Sequence, residues 1–290
     1  MTRVLITGVR GKTGSALARS LAGGAAAEVV GGTTDPSRVA LDGVTPVAFD
    51  WDAPATWAPA LEHVDAVYLV RPDIEDAPER IASLVAQAPP DARIVLLSEL
   101  GAEELDRDSW FARVERAVTE RARHWTLLRP SWFMQNFTDR RYYRDAIRID
   151  GRFTFPAGGA AVSWIDARDI AAVAERTLLD EGHDGRAYAL TGPEALDLPT
   201  TARTLAAAAG RRIEHEDVSV ADAIAGRSSA DTMSFAASAL DGWTAEILAD
   251  VYERVRAGRF AAVTDDVARV TGRPARSLER FATEHAALLS

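Results

Sequence analysis

Cysteine is absent from this chain of 290 residues, which removes disulfides, thiolate metal sites, iron–sulfur clusters and cysteine nucleophiles together. Lysine is nearly absent as well. Lys12 is the only one, although lysine and arginine together number 33, so any chemistry that needs a lysine must use position 12. Acidic groups outweigh basic ones, with a formal net charge of -10, and neither a broad phosphate-binding surface nor nucleic-acid binding is expected. No apolar run approaches the roughly 20 residues that span a bilayer, and "MTRVLITG" enters a strand directly, without the core of a signal peptide. These absences predict a soluble, cytoplasmic protein with no membrane partner. The histidines, at 63, 124, 183, 215 and 285, form no short ligand motif, and no metal site is expected.

What is present is an alternation of apolar runs and helical spacing. "RVLITG", "EVVGGTT", "VTPVAFD", "VDAVYLV", "ARIVLLS" and "WTLLRP" read as strands. "SALARSLA" and the stretches near 76–88 and 109–123 read as helices between them. Such alternation predicts an α/β fold with a doubly wound, mostly parallel sheet of the Rossmann type, whose ligands sit beyond the carboxyl ends of the strands. From about residue 131 the pattern loosens. A helix resumes at "DIAAVAERTLL" with Asp169 as its expected cap, a strand follows at "AYALTG", and three helical stretches close the chain. A dinucleotide-binding domain is expected over 1–195. A smaller, mostly helical lobe at 196–290, joined by the segment 131–160, should cover the crevice and bind a small-molecule substrate.

The stretch "GVRGKTG" at 8–14 decides the ligand. A triphosphate loop requires a glycine five positions before the Gly-Lys pair, where this chain has Ile6. Gly8, Gly11 and Gly14 instead have GxxGxxG spacing between a strand and a helix. In that setting the first allows a tight turn, the second brings backbone to a pyrophosphate at the helix start, and the third lets the helix pack on the sheet. Arg10, Lys12 and Thr13 lie in the same loop. At the end of the second strand Thr33 and Thr34, with Arg38 downstream, replace the carboxylate that holds both ribose hydroxyls of NAD, which favours NADP(H) over NAD(H). A one-residue slip would bring Asp35 to the ribose, and NAD(H) stays open. Asp50 and Trp51 follow the third strand, where an adenine edge is expected.

The pair that usually protonates a carbonyl in short-chain reductases, a tyrosine with a lysine four positions later, is missing. The positions four beyond Tyr68, Tyr142, Tyr143, Tyr188 and Tyr252 are Pro72, Ala146, Ile147, Gly192 and Arg256. With that departure, "ITGVRGKTG", "VDAVYLVRP", "LLRPSWFMQNF", "DARDIAAV", "LTGPEALD" and "VTGRPARSLERFATEH" resemble the NmrA-like group of atypical short-chain dehydrogenases/reductases over nearly the whole chain. That group includes fungal ergot-alkaloid dehydrogenases acting on festuclavine- or agroclavine-type iminium carbons, quinone oxidoreductase-like proteins, and catalytically silent sensors of nicotinamide redox state. The resemblance implies that Gly8, Gly11 and Gly14 bind pyrophosphate, that Arg71, Pro72, Ser98 and Glu99 line the nicotinamide side, and that Pro130 through Phe133 turn over the ring.

Hydride addition to a carbonyl creates negative oxygen charge and needs a donor, whereas an iminium carbon carries its own activation. The expectation is therefore an NADPH-dependent reductase of a small cyclic or aromatic imine or iminium, with quinones or enones second. A non-enzymatic NAD(P)-sensing regulator is the alternative. Ser98, Tyr142 and Tyr143 are the catalytic candidates, and Trp132, Phe133 and the same tyrosines are the candidate substrate contacts. Ser98 is expected to donate to substrate or nicotinamide, with a local cap as its ordinary role. Asp166 and Asp169 are expected to serve the start of their helix rather than to form an acid–base pair.

Overall fold

A computed structural model describes residues 1–225 and 242–290. The chain opens with β1 (Thr2–Thr7), α1 (Lys12–Ala22), β2 (Ala27–Thr33), β3 (Val44–Ala48), α2 (Trp57–Ala60), β4 (Ala66–Val70), α3 (Ala77–Val85), β5 (Arg93–Leu97), α4 (Trp110–Thr119) and β6 (His124–Pro130). It continues with α5 (Arg144–Asp150), β7 (Arg152–Thr154), β8 (Ala161–Val162), α6 (Ala167–Leu179) and β9 (Arg186–Leu190). Last come β10 (Leu196–Asp197), α7 (Leu198–Ala209), β11 (Glu214–Glu216), α8 (Val220–Ile224), α9 (Gly242–Arg256), α10 (Asp266–Thr271), α11 (Leu278–Glu284) and α12 (Ala286–Leu289).

Seven described strands form one parallel sheet in the order β3-β2-β1-β4-β5-β6-β9. The apolar runs of β1, β4 and β5 are buried on both faces because helices cover both: α1 packs beside α6, and α3 beside α4. This is the doubly wound Rossmann arrangement, and its strand order reverses between β1 and β4. There the backbone ladder stops at Ile6 opposite Tyr68. The buried Thr7 hydroxyl takes over, accepting from the Val70 N–H at 2.8 Å and facing the Tyr68 carbonyl at 3.3 Å.

The chain divides into two compact units. The first holds Met1–Pro130, Ala167–Leu190 and Asp266–Arg273; the second holds Ser131–Asp166, Thr191–Asp265 and Pro274–Ser290. Asp266 ties the last segment of the first unit to the sheet by accepting from the Ala189 N–H at 2.7 Å. Asp169 does not cap its helix. α6 starts two residues earlier, at Ala167, and Asp169 lies fully buried in the first turn, where it receives Arg273 at 2.7 Å. A charged partner 104 positions away fixes its role, and helical spacing carries no sign of it.

Inside the second unit, the stretch that reads as loose in sequence is ordered by aromatic packing. Phe137, Tyr143, Phe153, Phe155 and Trp164 are fully buried and touch one another, with Phe137 and Trp164 centroids 4.7 Å apart. Rings of this kind each bury about 150–250 Å², worth roughly 25 cal/mol per Å² as an upper estimate. That outweighs what the short pairs β7–β11 and β8–β10 add through hydrogen bonds. The Trp164 indole is satisfied by Thr201 on α7 at 3.0 Å, and α7 also carries α11 and α12. Gly192 passes so close to this core that a Cβ there would lie 2.1 Å from the Trp164 carbonyl oxygen.

Candidate functional site

The first unit gathers Gly8, Gly11, Gly14, Thr33, Thr34, Arg71, Pro72, Ser98, Glu99 and Pro130 at or just beyond the carboxyl ends of its strands. Gly8 has φ +69°, a conformation that L side chains rarely adopt, and its carbonyl accepts from the Gly11 N–H at 2.8 Å. A Cβ on Gly14 would stand 2.5 Å from that same carbonyl oxygen. Gly11 caps α1 in extended conformation and supplies no side chain to the first-turn N–H groups. Turn, close approach and uncapped helix start together form a cradle that fits the pyrophosphate of a dinucleotide. Lys12 begins α1, and Thr13 is buried in its first turn. Burial pushes the Tyr68 phenol up, with Thr13 partly opposing the shift.

At the end of β2, Thr33 is buried while Thr34 and Arg38 are exposed. Asp35 is engaged locally: its Oδ1 accepts from the Ser37 N–H at 3.1 Å and the Ser37 hydroxyl at 2.6 Å, capping the short helical turn Pro36–Arg38. The Ser37 contact holds this carboxyl below the usual carboxylate range, helped at longer range by Arg38 and Arg10. Neither arginine forms an ion pair among the described residues, so both cations of this corner are available to an anion. Asp50 is occupied locally, its carboxylate accepting from the Asp52 N–H at 2.9 Å and its carbonyl from the Trp57 indole at 2.7 Å. Trp51 packs edge-on against Phe49 and Trp57, with centroids 5.2 and 5.7 Å away.

The β4 and β5 ends carry charge held in place by rings and by ions. The Arg71 guanidinium lies 4.8 Å from the Trp110 centroid, pairs with Asp73, and approaches Glu99 at 3.7 Å. Ser98 continues the ladder, its N–H donating to the Leu128 carbonyl at 2.7 Å, and Leu100 does the same to Pro130 at 3.0 Å. The Ser98 hydroxyl donates to Glu115 Oε1 at 2.6 Å. Glu115, on α4 and only 7% exposed, also accepts Arg129 Nε at 2.8 Å and Nη2 at 2.7 Å as a bidentate pair. Burial opposes the Arg129 charge, and Glu115 together with Glu103 more than restores it.

The remaining expected residues belong to the second unit. Trp132 and Phe133 are stitched to Ile165, whose N–H donates to the Trp132 carbonyl at 2.9 Å while the Met134 N–H donates to the Ile165 carbonyl at 2.9 Å. Trp132 stacks parallel to Tyr252, with ring centroids 5.9 Å apart. Gln135 anchors the segment by donating to Asp166 at 2.9 Å. Tyr142 is half-buried. Tyr143 sits in the aromatic core, where burial pushes its phenol well up, and its hydroxyl has no hydrogen-bond partner among the described residues.

Sequence reading missed three residues of this arrangement: Thr7, Glu115 and Arg129. Thr7 had a visible signal, a hydroxyl ending an apolar run before the first glycine. Glu115 and Arg129 look like ordinary polar positions of a helix and a strand, and only folding brings them together. Among the described residues there is no cluster of three or more metal-ligating side chains, and no helix is long and apolar enough to cross a membrane.

A family model described as NAD(P)H-binding matches residues 8–181. The chain is 35% identical over 250 residues to an NAD(P)H azoreductase of Xenophilus azovorans, covering 84% of each chain. It is 33% identical to a (4-alkanoyl-5-oxo-2,5-dihydrofuran-3-yl)methyl phosphate reductase of Streptomyces griseus, covering 98% of each. Among solved structures it is similar to an NADPH-dependent quinone oxidoreductase of Escherichia coli in complex with NADPH, with a TM-score of 0.78, 23% identity, and 97% and 99% of the two chains covered. This last likeness is one of fold.

Proposed function

The chain belongs to the NmrA-like family of NAD(P)H-binding proteins, and from that premise we propose that it reduces a small cyclic or aromatic imine or iminium with NADPH. It is an NAD(P)H-dependent oxidoreductase; the acceptor and the preference for NADPH are the proposal. One observation carries the choice of acceptor: the Ser98 hydroxyl hydrogen is committed to Glu115. Of the other two candidates for an acid, Tyr143 is enclosed among rings, and the half-buried Tyr142 is read here as a contact to the acceptor. An acceptor that already bears positive charge at the reacting unit needs no acid, because hydride addition leaves a neutral amine.

In this reading Gly8, Gly11 and Gly14 hold the pyrophosphate. Arg10 and Arg38, with Thr34, meet the 2'-phosphate, whose charge would otherwise stand beside Asp35. Arg71, Pro72, Ser98 and Glu99 border the nicotinamide, which when bound supplies the hydride. Trp132, Phe133 and Tyr142 contact the acceptor through apolar surface. The azoreductase and the furan-phosphate reductase are reductases by name, which supports reduction as the type of reaction and leaves the choice of an imine to the Ser98 geometry.

The test is NADPH consumption by the purified protein with matched cyclic imines, quinones and enones. Turnover is expected to be fastest with imines that are protonated at the assay pH, and to fall as pH rises above the pKa of the imine itself. Faster turnover with quinones, or an imine rate that ignores substrate protonation, would overturn the proposal.

A further inference from the structure

A serine hydroxyl has one hydrogen and two lone pairs, so the partner that takes the hydrogen sets what the oxygen can still offer. Ser98 is pinned on both sides by the strand ladder through its own N–H and that of Leu100. Its hydroxyl lies 2.6 Å from Glu115 Oε1. Glu115 has no hydrogen to return, because both of its oxygens accept from Arg129. The third Arg129 nitrogen faces Glu103 at 3.3 Å, so the guanidinium is committed to carboxylates and has no reason to release Glu115. Among the described residues nothing donates to Ser98 Oγ.

We propose that Glu115, held by Arg129, fixes Ser98 as a pure hydrogen-bond acceptor at the end of β5, and that Ser98 receives an N–H of the nicotinamide carboxamide. Ser98 then is not a proton donor to product, which replaces the role expected of it from sequence. Glu115 is a positioning residue, acting only through Ser98. The inference rests on the placement of the nicotinamide beside Ser98, and it stands or falls independently of the acceptor.

The experiment is calorimetric titration of the full-length protein, without any acceptor, with NADPH and with its reduced 3-acetylpyridine analogue, in which a methyl group replaces the carboxamide NH2. The wild type should prefer NADPH by several-fold, up to about tenfold, the size of one hydrogen bond. Ser98→Ala should bring the two ligands to within about twofold of each other. Glu115→Gln should reduce the preference, because its NH2 must replace one carboxylate oxygen and meet an Arg129 N–H donor in either orientation, so the pair that holds the hydroxyl hydrogen of Ser98 is broken or displaced. ADP-ribose should bind all three proteins equally, which reports an intact fold and cradle. No discrimination in the wild type, or discrimination that survives Ser98→Ala, would overturn the contact. Discrimination kept by Glu115→Gln but lost in Ser98→Ala would overturn the positioning role. If Glu115→Gln does not fold, Ser98→Ala still decides the contact. Failure with imines leaves this result untouched, and failure here leaves the imine assay untouched.

Discussion

In the first compact unit the decisive contacts are made by backbone atoms and buried ions, as where the Gly8 carbonyl leaves no room for a Cβ at position 14 and Glu115 joins Ser98 to Arg129. In the second, the interior is filled by rings, and the short strands β7, β8, β10 and β11 contribute two or three pairs each. The contrast follows from the task. A phosphate is bound by directed N–H groups whose positions depend on a few φ and ψ angles, so the chain must use glycine at fixed spacing. An aromatic core is bound by area, which many residue choices can supply. The first unit should therefore be sensitive to single atoms near its cradle, and the second to lost or displaced volume.

One glycine in each unit offers the strongest test. Gly192→Ala places a Cβ 2.1 Å from the Trp164 carbonyl oxygen, and should cost about 3 kcal/mol or more by displacing the ring core. Gly14→Ala, with a Cβ 2.5 Å from the Gly8 carbonyl oxygen, should weaken NADPH binding about tenfold or more by pushing α1 from the turn. Thermal melting and cofactor titration of both variants separate the two. If Gly192→Ala lost cofactor affinity in a folded protein while Gly14→Ala kept it, the contrast between the units would be wrong.

A smaller effect sharpens the account of the cradle. Arg38→Ala should weaken NADPH by about 1–2 kcal/mol, or roughly tenfold, and leave NADH nearly unchanged. Asp35 is spent on Ser37, so no carboxylate should be released toward the ribose. Equal losses for both cofactors would remove Arg38 as the discriminator, and tighter NADH binding by the wild type would overturn the NADPH preference.

The smallest expected effect probes a titratable side chain set against the second unit's rings by a carbonyl contact. His215 lies 5.5 Å from the Phe153 ring centroid, and its Nε2 donates to the Phe155 carbonyl at 2.7 Å. Burial lowers its pKa, against the opposing pull of the Phe155 carbonyl and of Asp217, Glu216 and Asp197. The folded state thus favours the neutral ring. Its contribution should be complete above the unfolded value of about 6.5 and should be lost as pH falls below it. Melting temperatures of wild type and His215→Gln should differ more at pH 7.5 than at pH 5.5. A gap that widens on acidification would show the protonated ring to be the favoured form.

Much of the first unit was legible because its signals are local. The "GVRGKTG" turn, the alternation of apolar runs with helical spacing and the carboxyl-end rule place Gly8, Gly11, Gly14, Arg71 and Ser98 without any knowledge of distant contacts. The same reading could not see which way Ser98 points its hydrogen, because that depends on Glu115, 17 positions on, and on Arg129. Nor could it see that Asp169 would be claimed by Arg273, or that Asp266 would reach the Ala189 N–H. In the second unit, periodicity failed between 131 and 160 because the order there comes from rings meeting across the sequence, Phe137 against Trp164 and Trp132 against Tyr252.

By itself, the sequence determined that a dinucleotide fold was possible and a triphosphate loop was not, since both depend on whether glycine stands at particular positions of one strand–turn–helix. It also excluded the tyrosine–lysine acid, by the identity of five residues alone. Tertiary structure decided the polarity of the groups around that cradle: which carboxylates are already paired, which arginines are left for an anion, and which hydroxyl can only accept. A hydrogen bond has a direction set by both partners, and partners far apart in the chain meet only when the chain has folded.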